Sequence, residues 1–276
     1  MDLTKTLKNQ MNQSFNGDEV CPKCGQPIVK EVELLGVKRL VPVACECMKK
    51  EWEYQEKARK NKMRQQRIDR LFALSELGPR YKDSSFENWL HRNGTELWYK
   101  TAKDYVSNFG EYLEEGHGLV IVGPVGNGKT YLAAAIVRKL IAEQERVCLF
   151  QSVPSLVTKL QATYNGGQTG YTSKEVFDNL HDADLVVLDD LGSEYKTSRQ
   201  DSWVEATLYS IIDDRYRWKK PVIVISNLST EKELLSRVGA RTYDRLLEMC
   251  TFLGNKGTSY RKEIAKRRNN GEKKMD

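Results

Sequence analysis

The residues whose types and spacing could do chemistry begin with Gly123-Pro124-Val125-Gly126-Asn127-Gly128-Lys129-Thr130. This run fits the phosphate-cradling pattern G-x-x-x-x-G-K-[ST] at every fixed position. Its glycines let successive N–H groups point at phosphate oxygens, and a helix N-terminus behind it adds a positive dipole end. Lys129 is expected to reach the β- and γ-phosphates, and the Thr130 hydroxyl to complete a Mg²⁺ shell, with Tyr131 directly behind them in the nucleotide-binding run. A second candidate is the carboxylate pair Asp189-Asp190, which closes the apolar run Leu185–Leu188. Behind a phosphate loop, Asp189 would hold the Mg²⁺-bound water, and Asp190 would orient and polarise the attacking water. Asn227 ends a third apolar run. It would lie beside the γ-phosphate if its strand neighbours the phosphate-loop strand; otherwise it is a plain turn residue.

Four cysteines form a separate constellation, Cys21-x-x-Cys24 and, 20 residues on, Cys45-x-Cys47. Two close thiolate pairs fit a tetrahedral structural Zn²⁺ site with no open position for catalysis. Disulfides would need an oxidising compartment, and a redox C-x-x-C would not need the second pair. Cys148 and Cys250 lie in apolar, strand-like surroundings and read as core residues.

The elements that must position these groups follow from periodicity. Leu119–Val122, Val147–Phe150, Asp184–Asp190 and Pro221–Ile225 read as buried strands. Helical spacing is expected over the segment after the phosphate loop, over Glu96–Leu113 (Trp98, Ala102, Tyr105, Val106 and Phe109 on one side), Val153–Tyr164, Ser173–His181 and Trp203–Trp218. Gly166–Gly170 reads as a flexible break. Residues 80–94, with Phe86 and Trp89, read as an irregular lead-in. Alternating strands and helices argue an α/β fold, a parallel sheet with helices on both faces, whose ligands bind beyond the carboxyl ends of the strands. Ahead of it, Ile28–Val43 reads as a hairpin around Leu35-Gly36. A zinc-ribbon-like module this small would draw much of its folding free energy from the metal. Met48–Leu77 reads as a long helix, thinly apolar in its first half and amphipathic around Ile68, Leu71, Phe72 and Ser75, stopped by Gly78-Pro79.

At 276 residues the chain holds one substantial core and an appendage. The formal charge of +6 is uneven: segments 49–70 and 255–276 each carry a net +5, leaving −4 elsewhere. That pattern suggests an acidic partner, nucleic acid first, beside the plainer reading of solvated charged faces. No apolar run is long enough to cross a bilayer, and Met1–Phe15 lacks a signal core, so the expectation is a cytoplasmic protein with no membrane contact.

Five motifs in order, Gly128-Lys129-Thr130, Asp189-Asp190-Leu191-Gly192, Ser226-Asn227-Leu228-Ser229, Arg241-Thr242-Tyr243-Asp244-Arg245-Leu246 and Ser259-Tyr260-Arg261, resemble the DnaC/DnaI-type replicative-helicase loaders. These belong to the initiator branch of the AAA+ ATPases, and the resemblance covers roughly residues 80–265. The cysteine-paired module is similar to the zinc-containing helicase-binding domain of DnaI-like members and phage homologues. The resemblance implies a Walker A at Lys129-Thr130, a Walker B at Asp189-Asp190 and a sensor I at Asn227. It further implies an arginine finger at Arg245, with Arg241 as second choice, and a sensor II arginine at Arg261. The finger would serve a neighbouring subunit's ATP, which implies self-association through the ATP site. Two departures stand out. Asp190 replaces the glutamate of many AAA+ proteins and has a shorter reach, and few residues follow Arg261, too few for a full helical lid.

The implied organisation is a zinc module (1–48), a basic linker helix (49–79), an AAA+ ATPase domain (80–265) and a basic tail (266–276). The implied function is ATP-dependent loading of a hexameric helicase onto single-stranded DNA, with ATP, Mg²⁺ and Zn²⁺ as cofactors. Lys196 and Arg199, in the loop after Asp190, are the candidate DNA contacts. The alternatives are an IstB-type regulator that delivers a transposase to duplex DNA, and a zinc-module adaptor using ATP as a switch.

Overall fold

The computed structural model describes residues 20–34, 36–164, 172–193, 201–228, 230–254 and 259–269. The chain divides into two compact units, Met1–Gln66 and Arg67–Asp276. In the first, strands β1 (Val29–Leu34) and β2 (Val37–Pro42) pair antiparallel from Val29↔Pro42 to Leu34↔Val37. Gly36 turns the hairpin at a φ of 76°, in the left-handed region that favours glycine. This is the hairpin expected from the sequence. Its apolar side chains are largely wet: Val37 is 53% and Leu40 is 41% exposed, while Cys21, Val29 and Cys45 are buried. So small a core leaves the cysteines as the natural cross-link.

Helix α1 spans Glu46–Leu74, not Met48–Leu77. Its early end has a local cause. The Ser75 hydroxyl donates to the Phe72 carbonyl at 2.8 Å, and Glu76 enters the left-handed region at a φ of 55°, so the helix stops before Gly78-Pro79 is reached. Every residue from Lys49 to Gln66 is exposed, whereas Ile68 and Leu71 are buried in the core of the second unit. A 3-10 turn at Pro79–Tyr81 follows.

The second unit is built on five parallel strands, β3 (Gly118–Val122), β4 (Cys148–Ser152), β5 (Leu185–Leu191), β6 (Val222–Ser226) and β7 (Cys250–Gly254), in the order β4-β5-β6-β3-β7. Side chains alternate between two cores. Leu119, Ile121, Phe150, Val187, Ile223 and Ile225 pack on one face with α2 (Glu96–Ser107), α3 (Phe109–Glu115) and α4 (Lys129–Gln144). Val120, Leu149, Val186, Leu188, Val222 and Val224 pack on the other with α5 (Val153–Tyr164), α6 (Ser173–Asp182), α7 (Asp201–Arg217), α8 (Glu231–Val238) and α9 (Ala240–Met249). Among the described residues, one ten-residue helix, α10 (Tyr260–Asn269), follows β7.

The single helix expected over Glu96–Leu113 is two. Asn108, at φ −107° and ψ 20°, leaves the helical region and bonds its side chain to Asp104 at 2.9 Å. The apolar face continues through the break, since Tyr105 and Phe109 are both buried. Cys148 and Cys250 are buried in these cores, as their surroundings suggested, and burial pushes both thiols far above their ordinary pKa. The glycine-rich stretch 166–170 lies outside the described residues. No helix among the described residues is long and apolar enough to cross a membrane.

Candidate nucleotide site

The strands fix the site because β3, β5 and β6 deliver their carboxyl ends side by side. β3 pairs directly with β6, Val122 opposite Ser226, which meets the condition placed on Asn227. Between β3 and α4 the loop turns through Gly126 (φ 84°) and Gly128 (φ 100°), both in the left-handed region. At Gly126 a Cβ would stand 2.3 Å from the Ser259 hydroxyl, so only glycine admits this neighbour. Tyr260 N–H then donates to the Gly126 carbonyl at 2.8 Å, docking the start of α10 on the loop.

Lys129 is buried, and its Nζ donates to the carbonyls of Gly123 (2.7 Å) and Pro124 (2.9 Å), to Asn127 Oδ1 (3.2 Å) and to Asn227 Oδ1 (2.9 Å). Burial lowers its pKa to about 8, against the opposing pull of Asp190 and Asp189. Thr130 Oγ1 donates to Asp189 Oδ1 at 3.2 Å. Burial, then the charge of Asp190, pushes the Asp189 carboxyl up to about 6. A buried carboxylate beside a threonine hydroxyl is a hard-oxygen donor set suited to Mg²⁺. Asp190 sits in an irregular stretch where the β5–β6 register shifts between Leu188 and Leu191, and its φ is +59°. Asn227 Nδ2 donates to Asp190 Oδ1 at 3.1 Å, so this amide bridges Lys129 and Asp190.

A cavity of about 440 Å³ opens over the loop, lined by Val125 to Tyr131, Asp190, Asn227 and Arg261. The structure thus brings together the loop, the acidic strand end, Asn227 and Arg261. The same wall includes Arg80, Tyr81, Ser193, Tyr260 and Ile264, which sequence reasoning did not assign to the site. Beside it lies a smaller, apolar cavity of about 110 Å³ lined by Trp89, Leu90, Gly128, Tyr131 and Tyr260. Among the described residues, neither Trp89 Nε1 nor Asn127 Nδ2 has a hydrogen-bond partner. The only sequence signal for this pocket was the aromatic content of the lead-in, Phe86 and Trp89.

Residues 52–268 match the family of IstB-like ATP binding proteins. The chain belongs to that family. Two relatives and one solved structure give its surroundings within it. The phage-like element PBSX protein XkdC of Bacillus subtilis (strain 168) is 23% identical over 195 residues, covering 68% of this chain and 70% of its own length. The replicative helicase loader DnaI of the same organism is 27% identical over 135 residues, covering 49% of this chain and 40% of DnaI. The crystal structure of the DnaC helicase loader superposes with a TM-score of 0.57 at 26% identity, covering 65% of this chain and all of that one. The resemblance to DnaC and DnaI is borne out, and with it the AAA+ sheet. This IstB-like chain carries its four cysteines ahead of the matched residues.

The three candidate arginines of this IstB-like domain fall into two places. Arg261 lines the cavity over the phosphate loop. Arg245 and Arg241 lie on α9, packed against α7, and line no part of that cavity. Arg245 is half-buried, its Nε and Nη2 both 2.6 Å from Asp213 Oδ1 and its guanidinium 4.6 Å from the Tyr216 ring centre. Arg241 is exposed beside Glu205, Tyr209 and Ala240. Lys196 and Arg199 lie outside the described residues.

In the first unit the sulfurs of Cys21, Cys24, Cys45 and Cys47 all lie within 4.8 Å of one another. A tight turn presents the first pair: Gly25 N–H donates to the Cys21 carbonyl at 2.8 Å, with Gly25 at a φ of 68°. The start of α1 presents the second. Backbone N–H groups of Lys23 and Cys24, with the Cys47 thiol, pull Cys21 down to about 6, while Cys45 and Cys21 push Cys47 up to about 12. Four sulfurs converging from a turn and a helix start fit a tetrahedral Zn²⁺ site.

Proposed function

We propose that this ATP-binding chain is an ATP-dependent loader of a replicative hexameric helicase onto single-stranded DNA. The observation that carries the reading is the four-sulfur cluster, whose cysteines all precede the residues shared with the IstB-like family and lie in the first of the two compact units. The likeness to the DnaC helicase loader supports it, as does the relative DnaI. In this reading the zinc module and the exposed part of α1 grip the helicase. The residues from about 80 to 265 act as the ATPase domain, and single-stranded DNA is held by backbone-type, salt-sensitive contacts.

The chain's own groups divide the work of hydrolysis. The loop N–H groups and Lys129 hold the phosphates, and the apolar cavity at Trp89, Tyr131 and Tyr260 takes the adenine ring. Thr130 and Asp189 would hold Mg²⁺, which would supply charge neutralisation to the phosphates. Asp190 accepts a proton from the attacking water, while Asn227, bonded to Asp190, positions that water against the γ-phosphate. Arg261 contacts the phosphates in cis. Arg245, or failing it Arg241, completes a neighbour's site.

The test is a pull-down of the native replicative helicase, with and without ATP, by the intact chain and by a fragment beginning at Arg67. That start keeps Ile68 and Leu71, which a shorter fragment would strip from the core. The intact chain should retain helicase and the fragment should not. Equal retention would overturn the zinc module's role, and no retention by either would overturn the loader reading. The family match keeps a second reading alive, an IstB-type ATPase that serves a transposase. It predicts preference for duplex over single-stranded DNA at matched salt. An adaptor that uses ATP only as a switch would instead keep its activity in Asp190→Asn.

A further inference from the structure

We infer that Arg80 contacts the terminal phosphate of a bound nucleoside triphosphate in cis, making the Pro79–Tyr81 turn the element that distinguishes tri- from diphosphate. The inference rests on the ATP site described above and adds a residue that none of the five sequence motifs contains.

The site has two chemically different ends, formed by the two adjacent cavities. Trp89, Tyr131 and Tyr260 make one end apolar and suited to a base. Thr130, Asp189, Asp190 and Asn227 make the other polar, where the terminal phosphate must lie for Asp190 to serve its attacking water. The Pro79–Tyr81 turn belongs to the second end. The Tyr81 side chain hydrogen-bonds to Thr130 and feels the charge of Asp189, and Arg80, adjacent in chain, lines the same cavity as Asp190 and Asn227.

The turn is also held in place. Phe150, at the middle of β4, grips the segment twice: its N–H donates to the Ser75 carbonyl at 2.7 Å, and its ring stacks on Tyr81 at 6.2 Å between centres. Arg80 therefore stands on a fixed base, with an exposed side chain that pairs with no carboxylate among the described residues. A guanidinium on a fixed base, at the wall of a phosphate cavity and without an acidic partner, is placed for charge-assisted bonds to phosphate oxygen. In the proposed function the loop N–H groups and Lys129 hold the diphosphate, so the loss of Arg80 should be felt mainly by the triphosphate.

The experiment measures the affinity of the full-length chain for a non-hydrolysable ATP analogue and for ADP, with Mg²⁺, by titration calorimetry. Wild type is compared with Arg80→Ala, Arg80→Lys and Lys129→Ala. Arg80→Ala should weaken analogue binding about tenfold and ADP binding less than about threefold, with Arg80→Lys between wild type and alanine for the analogue. Equal losses for both nucleotides, or no loss for either, overturn the inference. If Lys129→Ala binds both nucleotides as wild type does, the phosphate-loop reading itself fails, and the inference falls with it. Matching melting temperatures of wild type and Arg80→Ala show that a selective loss is not unfolding.

Discussion

Arg245 and Asp213 form a two-point contact on a single chain, guanidinium Nε and Nη2 both 2.6 Å from one carboxylate oxygen. A partly exposed pair of this kind contributes at most about 1 kcal/mol to stability. If its larger role is in trans, Arg245→Ala should leave nucleotide affinity and melting temperature near wild type while cutting self-assembled ATPase activity by at least about tenfold. Mixing Arg245→Ala subunits with Lys129→Ala subunits should then restore activity, because each supplies what the other lacks. Absence of recovery in the mixture would place Arg245 in a purely structural role.

The environment of Lys129 predicts a pH dependence. An unfolded lysine keeps its proton to about 10.5, whereas burial makes the folded one release it near 8. Between those values the unfolded chain binds more protons, so the stability of the nucleotide-free protein should rise with pH. Urea unfolding at pH 8 and pH 10 should show that rise in wild type and a smaller one in Lys129→Met. ATP affinity should run the other way and fall as the pH passes 8.

At Gly126 a methyl group meets both a left-handed backbone and the Ser259 hydroxyl. Gly126→Ala should cost about 1–2 kcal/mol from the backbone alone. It should also loosen the start of α10, bringing Arg261 and Tyr260 away from the cavity. Nucleotide affinity should therefore drop further than the change in melting temperature implies, as calorimetry and thermal melts on the same variant would show.

The cysteine cluster should bind one Zn²⁺ per chain, measurable by elemental analysis. Removing it with a chelator, or changing Cys45→Ser, should unfold the hairpin while leaving ATP affinity unchanged. Loss of ATP binding in Cys45→Ser, measured with Mg²⁺ present, would show that the nucleotide site depends on the cysteine module.

Much of this arrangement was legible because local pattern and tertiary position coincide. Val120, Ile121, Leu185 to Leu188 and Val222 to Val224 are almost completely buried, so nothing polar interrupts their strands. Asp189 and Asn227 stand just beyond such runs, and Lys129 and Thr130 one loop beyond another, so a parallel sheet gathers them. β7 was harder to read. It is an edge strand in which Thr251 and Gly254 are exposed and Leu253 is buried, too short and mixed for periodicity to single out. Arg80, Tyr81, Trp89 and Tyr260 reach the site through chain segments with no regular spacing, so only tertiary contact reveals them. The break at Asn108 was hidden for the opposite reason, because the apolar stripe runs through it undisturbed.

The backbone at Asp190 bears on why this chain has an aspartate where many AAA+ proteins have glutamate. Its φ of +59° is held by the Ser193 N–H and hydroxyl, both bonded to the Asp190 carbonyl, and by the shifted pairing of Leu191 with Ser226. Short polar side chains enter that left-handed well far more readily than long ones. The kink in β5 and the length of the acid are therefore physically linked. A lineage or a designer exchanging Asp190 for glutamate would first have to straighten the strand, through Leu191 and Ser226, before the longer carboxylate gained anything at the phosphate.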